Sequence, residues 1–135
     1  MMSYTKPLPV LDGDNAAHWA GARERELRVQ RCGHCARLRF PASRYCSDCL
    51  SEDSEWVTLS GRGEIWSHCR FHRVYFKGFE NEMPYTVVLV RLDEGPMLYS
   101  NMVGVNDEDI RIGMRVRAAF DDVSDAVTLI KFTPE

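Results

Sequence analysis

Two Cys-x-x-Cys pairs constrain this chain more than any other feature of its sequence. The first pair is Cys32 and Cys35, the second is Cys46 and Cys49, and ten residues separate the pairs. Four sulfur atoms can meet at one point only if the chain between them turns back on itself. The spacing is compatible with disulfides, a redox motif, an iron site or a structural metal site, and Cys69 stands apart from both pairs.

Zinc best explains the two pairs. Zn²⁺ prefers four ligands in a tetrahedron, with Zn–S distances of about 2.3 Å, and each Cys-x-x-Cys turn directs two sulfurs and its backbone N–H groups inward. A thioredoxin-like redox pair needs one motif at the start of a helix, whereas this chain has two. Iron in a rubredoxin-like site would use the same four ligands and stays open; disulfides are the least favoured alternative.

The predicted metal is structural. Four thiolates complete its shell, so no position remains for a catalytic water, and His34 inside the first pair is expected to be a solvated loop residue. Metal-binding energy is folding energy in such a site. We therefore expect Cys32→Ser to unfold this region while leaving the β-structure of the rest largely intact.

Composition places the chain among ordinary soluble globular proteins. It has 135 residues, of which 44% are hydrophobic and 27% charged. No apolar run approaches the roughly 20 residues of a membrane helix. The start, MMSYTKPLPVLDGD, lacks the pattern of a secretory signal. We expect a cytoplasmic protein, where clustered cysteines bind metal more often than they form disulfides.

The charge is unevenly distributed. Residues 1–77 hold twelve Lys and Arg against nine Asp and Glu, and residues 78–135 hold five against eleven. Arginines are concentrated just before and between the cysteines. A basic half suits an anionic partner, such as a phosphate-bearing ligand, RNA or an acidic protein face, and a solvated surface is the alternative.

The pattern predicts a mostly β fold in three parts: an N-terminal arm and helix over 1–26, a rubredoxin-like zinc ribbon over 27–54, and a small barrel over 55–135. Asp14 is predicted to cap a helix from Asn15 to Arg25. Alternating residues then predict a β-hairpin closed by the first cysteine pair. Glycine bends and the absence of a long helix favour a small closed barrel. It is expected to hold five or so strands, drawn from the segments Trp56–Ser60, Glu64–Val74, Thr86–Leu92, Met97–Val103, Arg115–Phe120 and Ala126–Phe132.

No convincing catalytic centre is present in the sequence. Cys69 lies between His68 and His72, but neighbours on a strand point to opposite faces, so Cys69 is expected to be a small buried apolar residue. His68 and His72 could share one face as a second metal or acid–base pair, which is the less favoured reading. The acidic clusters stand at turns, where acids are common. The loop from Val74 to Tyr85 is rich in large apolar side chains, so part of it is expected to meet a ligand or partner.

Several motifs together resemble a known family. They are LRVQRCGHC, LRFPASRYCSDC, EWVTLSGRGEIWS, PYTVVLVRLDEGP and RIGMRVRAAF. From about Leu8 to Pro134 the chain resembles the zinc-ribbon/OB-fold proteins associated with acyl-CoA enzymes, long catalogued as a domain of unknown function. The resemblance implies a non-catalytic accessory subunit of a thiolase-like, hydratase-like or acyltransferase partner, which carries the catalytic residues. It implies that the barrel is a five-stranded OB-fold barrel that helps to bind acyl-CoA, and that the helix and ribbon embrace the partner. On that expectation, Cys32→Ser should also abolish partner assembly.

Arginines and aromatic residues fit such a ligand. Guanidinium groups grip the phosphates of CoA, and an apolar groove suits pantetheine and an acyl chain. An OB barrel that binds single-stranded nucleic acid is the alternative function. The net acidic barrel half, whose arginines are not interleaved with strand aromatics, disfavours it. The expected contacts with acyl-CoA or the partner are Trp19, Arg37, Arg39, Arg70, Arg73, Phe76 and Phe79.

Overall fold

The computed structural model describes residues 4–135; Met1 to Ser3 of the predicted arm lie outside the described residues. One helix and eight strands organise this part of the chain, with short 3₁₀ turns at Gly13–Asn15, Lys77–Glu82 and Asp107–Asp109. None of its helices is long and apolar enough to cross a membrane. The elements are α1 (Ala16–Arg23), β1 (Leu27–Cys32), β2 (Leu38–Arg39), β3 (Ser54–Leu59), β4 (Arg62–Phe71), β5 (Tyr85–Leu92), β6 (Met97–Ser100), β7 (Arg115–Asp122) and β8 (Thr128–Pro134).

Helix α1 is shorter than predicted, and the prediction of Asp14 as its cap was wrong. Asp14 lies inside the preceding 3₁₀ turn, where the Ala16 N–H donates to the Gly13 carbonyl. A backbone acceptor therefore takes the place of the expected side-chain cap. At the other end Arg25 adopts a φ of 65°, which ends the helix.

One histidine and two small residues form the buried face of α1. His18, Gly21 and Ala22 are buried, whereas Trp19 is only half-buried. The side-chain stem of Arg28 lies across Gly21, where a Cβ would stand 2.6 Å from the Arg28 Cδ. Glycine at this position thus allows the helix to approach β1 closely.

The first sheet has the order β2-β1-β3 and contains the predicted hairpin. β3 pairs with β1 along its whole length, from Leu27 opposite Leu59 to Cys32 opposite Ser54. We predicted this segment as the first barrel strand; its ladder hydrogen bonds run to β1 of the hairpin. The three-part division of the chain, with its boundary at residue 54, stays a prediction.

The second sheet has the order β6-β5-β4-β7-β8 and curls toward closure. β4 carries a bulge between Ile65 and Ser67, which bends the strand. Beyond β6, Met102 bridges Phe132 of β8 in parallel, and the Val103 N–H donates to the Phe132 carbonyl at 2.8 Å. The predicted fold class is confirmed: a mostly β chain with an N-terminal helix, a ribbon and a curled five-stranded sheet of the OB-fold type.

Both sheets contribute to one hydrophobic core. Leu27 and Val29 of β1 are buried together with side chains from the five-stranded sheet and its loops. The ribbon hairpin therefore covers apolar surface that the barrel would otherwise expose. The barrel residues of this core are Ile65, Val88, Val90, Leu92, Leu98, Ile110, Val116 and Phe132.

Candidate metal centre and ligand surfaces

Two turns of the same design position the four cysteines. In each, the residue after the second cysteine has a positive φ: Ala36 at 65° and Leu50 at 61°. The N–H of Ala36 donates to the Cys32 carbonyl at 3.0 Å, and that of Leu50 to the Cys46 carbonyl at 2.9 Å. Each turn is thus closed by one backbone hydrogen bond that holds its two cysteines on the inside.

The four sulfur atoms lie within 4.8 Å of one another. The Sγ atoms of Cys32 and Cys49 are 3.5 Å apart, and those of Cys35 and Cys46 are 3.6 Å apart. A tetrahedral ion with metal–sulfur distances of about 2.3 Å requires S···S edges of about 3.8 Å. The four donors therefore fit a tetrahedral, thiolate-ligated metal.

Backbone N–H groups prepare the site for thiolates. The N–H groups of Cys35 and His34 each donate to the Cys32 sulfur at 3.4 Å and lower the pKa of that thiol to about 6. The Ser51 N–H lowers the pKa of Cys49, but burial and the neighbouring thiols outweigh it and raise that pKa to about 12. The four thiols thus do not all ionise on their own, and a dication supplies the charge that stabilises the remaining thiolates.

Ion pairs surround the metal centre. Arg37, from the first turn, pairs with Asp48 of the second, and both are half-exposed. Arg44 pairs with Glu52 at 3.0 Å, and Arg31 with Glu55. These exposed pairs contribute little stability individually. Because of them, however, most ribbon arginines already have a carboxylate partner within the chain.

Arg39 is buried, although the sequence suggested a ligand-facing side chain. Its Nε donates to the Gln30 Oε1 at 2.9 Å, and its Nη2 donates to the Ser43 carbonyl at 3.0 Å. The same Gln30 oxygen accepts the Ser43 N–H at 2.8 Å. Alternation along β1 places Gln30 on the polar side of the strand. Gln30 is buried only because the loop around Ser43 folds over it. No local sequence signal therefore predicts this hydrogen-bond network.

The aromatic loop folds onto the barrel and the N-terminal arm. Phe71 and Phe79 both stack on Tyr85, with ring centroids 5.3 and 5.0 Å away. The Lys6 ammonium lies 5.2 Å from the Phe79 ring and pairs with Glu82 at 2.7 Å. Phe79 therefore has a packing role, whereas Phe76 beside it is 57% exposed.

The predicted contact residues do not gather at one site. Arg70 and Arg73 lie at the end of β4 near the aromatic loop, and Arg70 reaches Glu108 and Asp107 only at 3.7 and 4.0 Å. Arg37 and Arg39 line a cleft between the ribbon and the barrel. Trp19 lines a separate groove between α1 and the barrel.

Comparison with known proteins shows to which family the chain belongs. Residues 19–55 match the model of the rubredoxin-like zinc ribbon domain of ChsH2, and residues 56–121 match that of its C-terminal OB-fold domain. A DUF35 domain-containing scaffold protein of Methanocaldococcus jannaschii is 33% identical over 76% of this chain and 73% of its own length. The chain belongs to the ChsH2-type zinc-ribbon and OB-fold family.

Two further members of the ChsH2-type family extend the likeness. A probable enoyl-CoA hydratase alpha subunit of Thermomonospora curvata is 37% identical over 96% of this chain, which spans only 40% of the length of that relative. In a solved structure, the Ltp2–ChsH2(DUF35) aldolase, one chain has a TM-score of 0.83 and 37% identity. That match covers 94% of this chain and 98% of the other.

Cys69 differs from its prediction, because it is exposed rather than buried. β7 pairs with β4 only from Arg62 to Glu64, so the second half of β4 has a strand neighbour on one side alone. His68 and His72 are exposed as well. Within residues 4–135 the four clustered cysteines are the one group of metal-type ligands that the fold brings together.

Proposed function

We propose that the chain is a non-catalytic, zinc-containing accessory subunit. It binds a thiolase-like or hydratase-like subunit and helps that partner to bind acyl-CoA. One observation carries the proposal: nearly the whole chain matches a chain of the Ltp2–ChsH2(DUF35) aldolase in both sequence and fold. The name of the Thermomonospora curvata relative, a hydratase subunit, supports a CoA-thioester context.

The chemistry of the described residues supports a non-catalytic role. Four cysteines saturate the metal centre, which leaves no position for a substrate. Cys69 is exposed, and no hydrogen bond joins its sulfur to a histidine in the part of the chain that the structure describes. We expect Cys69→Ser to leave the activity of the assembled complex unchanged. A loss of activity in that variant, with assembly intact, would mean that the chain contributes a nucleophile.

Zinc is the metal that we propose for the four thiolates, because a closed tetrahedral Cys₄ site is the structural zinc arrangement. Elemental analysis of the purified protein should give one zinc per chain. If the elemental analysis instead gives a stoichiometric amount of iron, with the visible absorption of a ferric thiolate site, the metal is iron and the zinc assignment is wrong.

The end of β4 and the aromatic loop are the proposed acyl-CoA contact. Arg70 is held only by long contacts to carboxylates, and Arg73 lies 5.5 Å from the Tyr75 ring. Guanidinium groups of this kind can turn to phosphates. Phe76 has an exposed ring in the same loop. The ring centroid of the more buried Phe79 lies 6.4 Å from that of Phe76.

Trp19, Arg37 and Arg39 are the proposed partner contacts. They lie on α1 and the ribbon, the parts that the family resemblance assigns to the partner. Trp19 is the large aromatic residue of this group, and aromatic residues are enriched at the centres of interfaces.

An affinity capture of the tagged chain from its native extract tests the proposal. We expect a stoichiometric companion of the thiolase, hydratase or aldolase type. Its absence, together with a high ratio of absorbance at 260 to 280 nm, would instead identify a nucleic-acid-binding barrel. Arg70→Met should weaken the binding of CoA to the captured complex, and Arg111→Met, an exposed arginine that bonds backbone carbonyls, is the matched control.

A further inference from the structure

Arg39 is a buried cation with an incomplete set of partners. Its residue is only 9% exposed, and its two hydrogen bonds go to neutral oxygens, those of Gln30 and Ser43. Its Nη1 makes no hydrogen bond, and among residues 4–135 it is the one buried side-chain nitrogen or oxygen without a partner. Buried polar groups are paired in folded proteins, with protein or with ordered water, so this nitrogen has an acceptor that the described chain does not supply.

The charge of Arg39 is also without an ion pair. No carboxylate lies within 4.0 Å of it in the described residues. The other ribbon arginines each pair with at least one carboxylate; they are Arg28, Arg31, Arg37 and Arg44. Burying a cation without an anion is strongly unfavourable. A partner that brings one negative charge would remove this penalty.

Arg39 lines a cleft through which such a group can arrive. The cleft has a volume of about 830 Å³ and lies between the ribbon loop and the turn before β6. Leu38, Phe40, Pro41 and Met97 give it apolar walls. Glu94 is the carboxylate of the opposite wall, and it accepts the Ser60 N–H at 2.8 Å rather than an Arg39 donor.

The number of free hydrogen-bond donors and unpaired charges on Arg39 and Arg37 indicates which group the cleft binds. Arg39 offers one nitrogen and one uncompensated positive charge, and Arg37 beside it is already neutralised by Asp48. A phosphate group is usually bound bidentately or by several cations, and this cleft does not provide them. A single carboxylate on an apolar segment matches both the charge and the walls.

We propose that this cleft receives an acidic side chain of the partner subunit, whose carboxylate accepts a hydrogen bond from Arg39 Nη1. The inference rests on the proposed function in one respect, namely that a partner subunit exists. It adds the surface and the chemistry by which that partner is recognised.

The test measures the dissociation constant of the purified partner, once captured, for variants of the full chain. Arg39→Met removes the charge and keeps the bulk. Ser47→Asp places a repelling carboxylate on an exposed part of the cleft lining and leaves the Arg39 hydrogen bonds in place. Both should weaken binding at least about thirtyfold, with full metal content. Arg44→Met, at an exposed arginine outside the cleft, should bind like the wild type.

The outcomes are distinct. Wild-type affinity in metal-loaded Arg39→Met and Ser47→Asp would overturn the cleft assignment and leave the proposed function standing. If added CoA displaces the partner from the wild type but not from Arg39→Met, the cleft binds a phosphate group. That result would overturn the proposal that it binds a carboxylate of the partner. A wild-type chain that captures no partner would overturn the proposed function and this inference with it.

Discussion

His18 is buried where α1, the ribbon and the barrel meet. It is 3% exposed, its ring centroid lies 4.9 Å from that of Phe40, and its Nδ1 is 2.8 Å from the Arg28 carbonyl. That contact requires a proton on Nδ1, which donates to the carbonyl. Burial lowers the pKa of His18, and the hydrogen bond to Arg28 offsets only part of that effect. The imidazole is therefore a structural, neutral group.

The burial of His18 predicts a pH dependence of stability. The unfolded chain takes up a proton near pH 6.5, whereas the folded chain resists protonation, so the unfolded state binds more protons below that pH. The free energy of unfolding should be highest above about pH 6.5 and should fall as the pH decreases below it. Urea titrations at a series of pH values measure this slope.

His18→Gln should flatten the slope below about pH 6.5. His72→Gln, at an exposed histidine, is the matched control and should keep it. A slope that is unchanged in His18→Gln would assign the pH dependence to other groups.

At the scale of elements, the metal holds the two cysteine turns, and the barrel core holds the base of the hairpin. Cys32 is the last residue of β1, whereas Leu27 and Val29 at its other end are buried in the core. The β1–β3 ladder joins these two regions. The ribbon thus has two sources of stability at its two ends.

Metal removal should therefore loosen the ribbon unevenly. After chelation, or in Cys32→Ser, we expect backbone amides of the two turns, residues 33–37 and 46–50, to exchange rapidly with deuterium. The amides of Leu27 and Val29 should stay protected, because the core and β3 still hold them. Cys69→Ser should keep full metal content and wild-type protection, since Cys69 lies outside the centre. Loss of protection throughout the barrel would contradict a locally acting metal.

The positions of the strands could be predicted from the sequence better than the strand with which each one pairs. Cysteine spacing and alternation predicted a four-sulfur cluster and most strands, because these patterns are local. Nothing local shows which strand a segment pairs with, so the pairing of β3 with β1 was not predicted. The burial of Arg39 and the exposure of Cys69 also depend on what the tertiary fold places over them.

At the scale of the whole molecule, three parts are joined by side chains that cross between them. α1 lies against β1 and against the last two strands of the barrel. Arg25, just past the helix, makes two hydrogen bonds to Asp122 of β7, at 2.8 and 2.6 Å. The guanidinium of Arg25, together with the Thr128 hydroxyl, lowers the pKa of Asp122. The helix, ribbon and barrel therefore behave as one packed unit.

Leu27→Ala should destabilise this whole unit. Leu27 is 1% exposed in the shared core, and truncation of such a side chain costs about 2–5 kcal/mol. We expect one cooperative urea transition at a lower midpoint, with tryptophan fluorescence and far-ultraviolet circular dichroism changing together. Leu50→Ala, at a leucine that is 73% exposed, should leave the midpoint almost unchanged. Two separate transitions in the wild type would mean that the ribbon and barrel unfold independently.

The contribution of β1 to the barrel core limits how such proteins can be recombined. A chimera that takes its whole ribbon from a relative also imports foreign side chains at the positions of Leu27 and Val29, and these must fit a cavity shaped by another sequence. Exchange confined to the segment between β1 and β3 leaves that cavity untouched. Natural diversification and engineering of partner specificity should both be easiest in this interval, which also contains three of the four cysteines and the ribbon side of the cleft around Arg39.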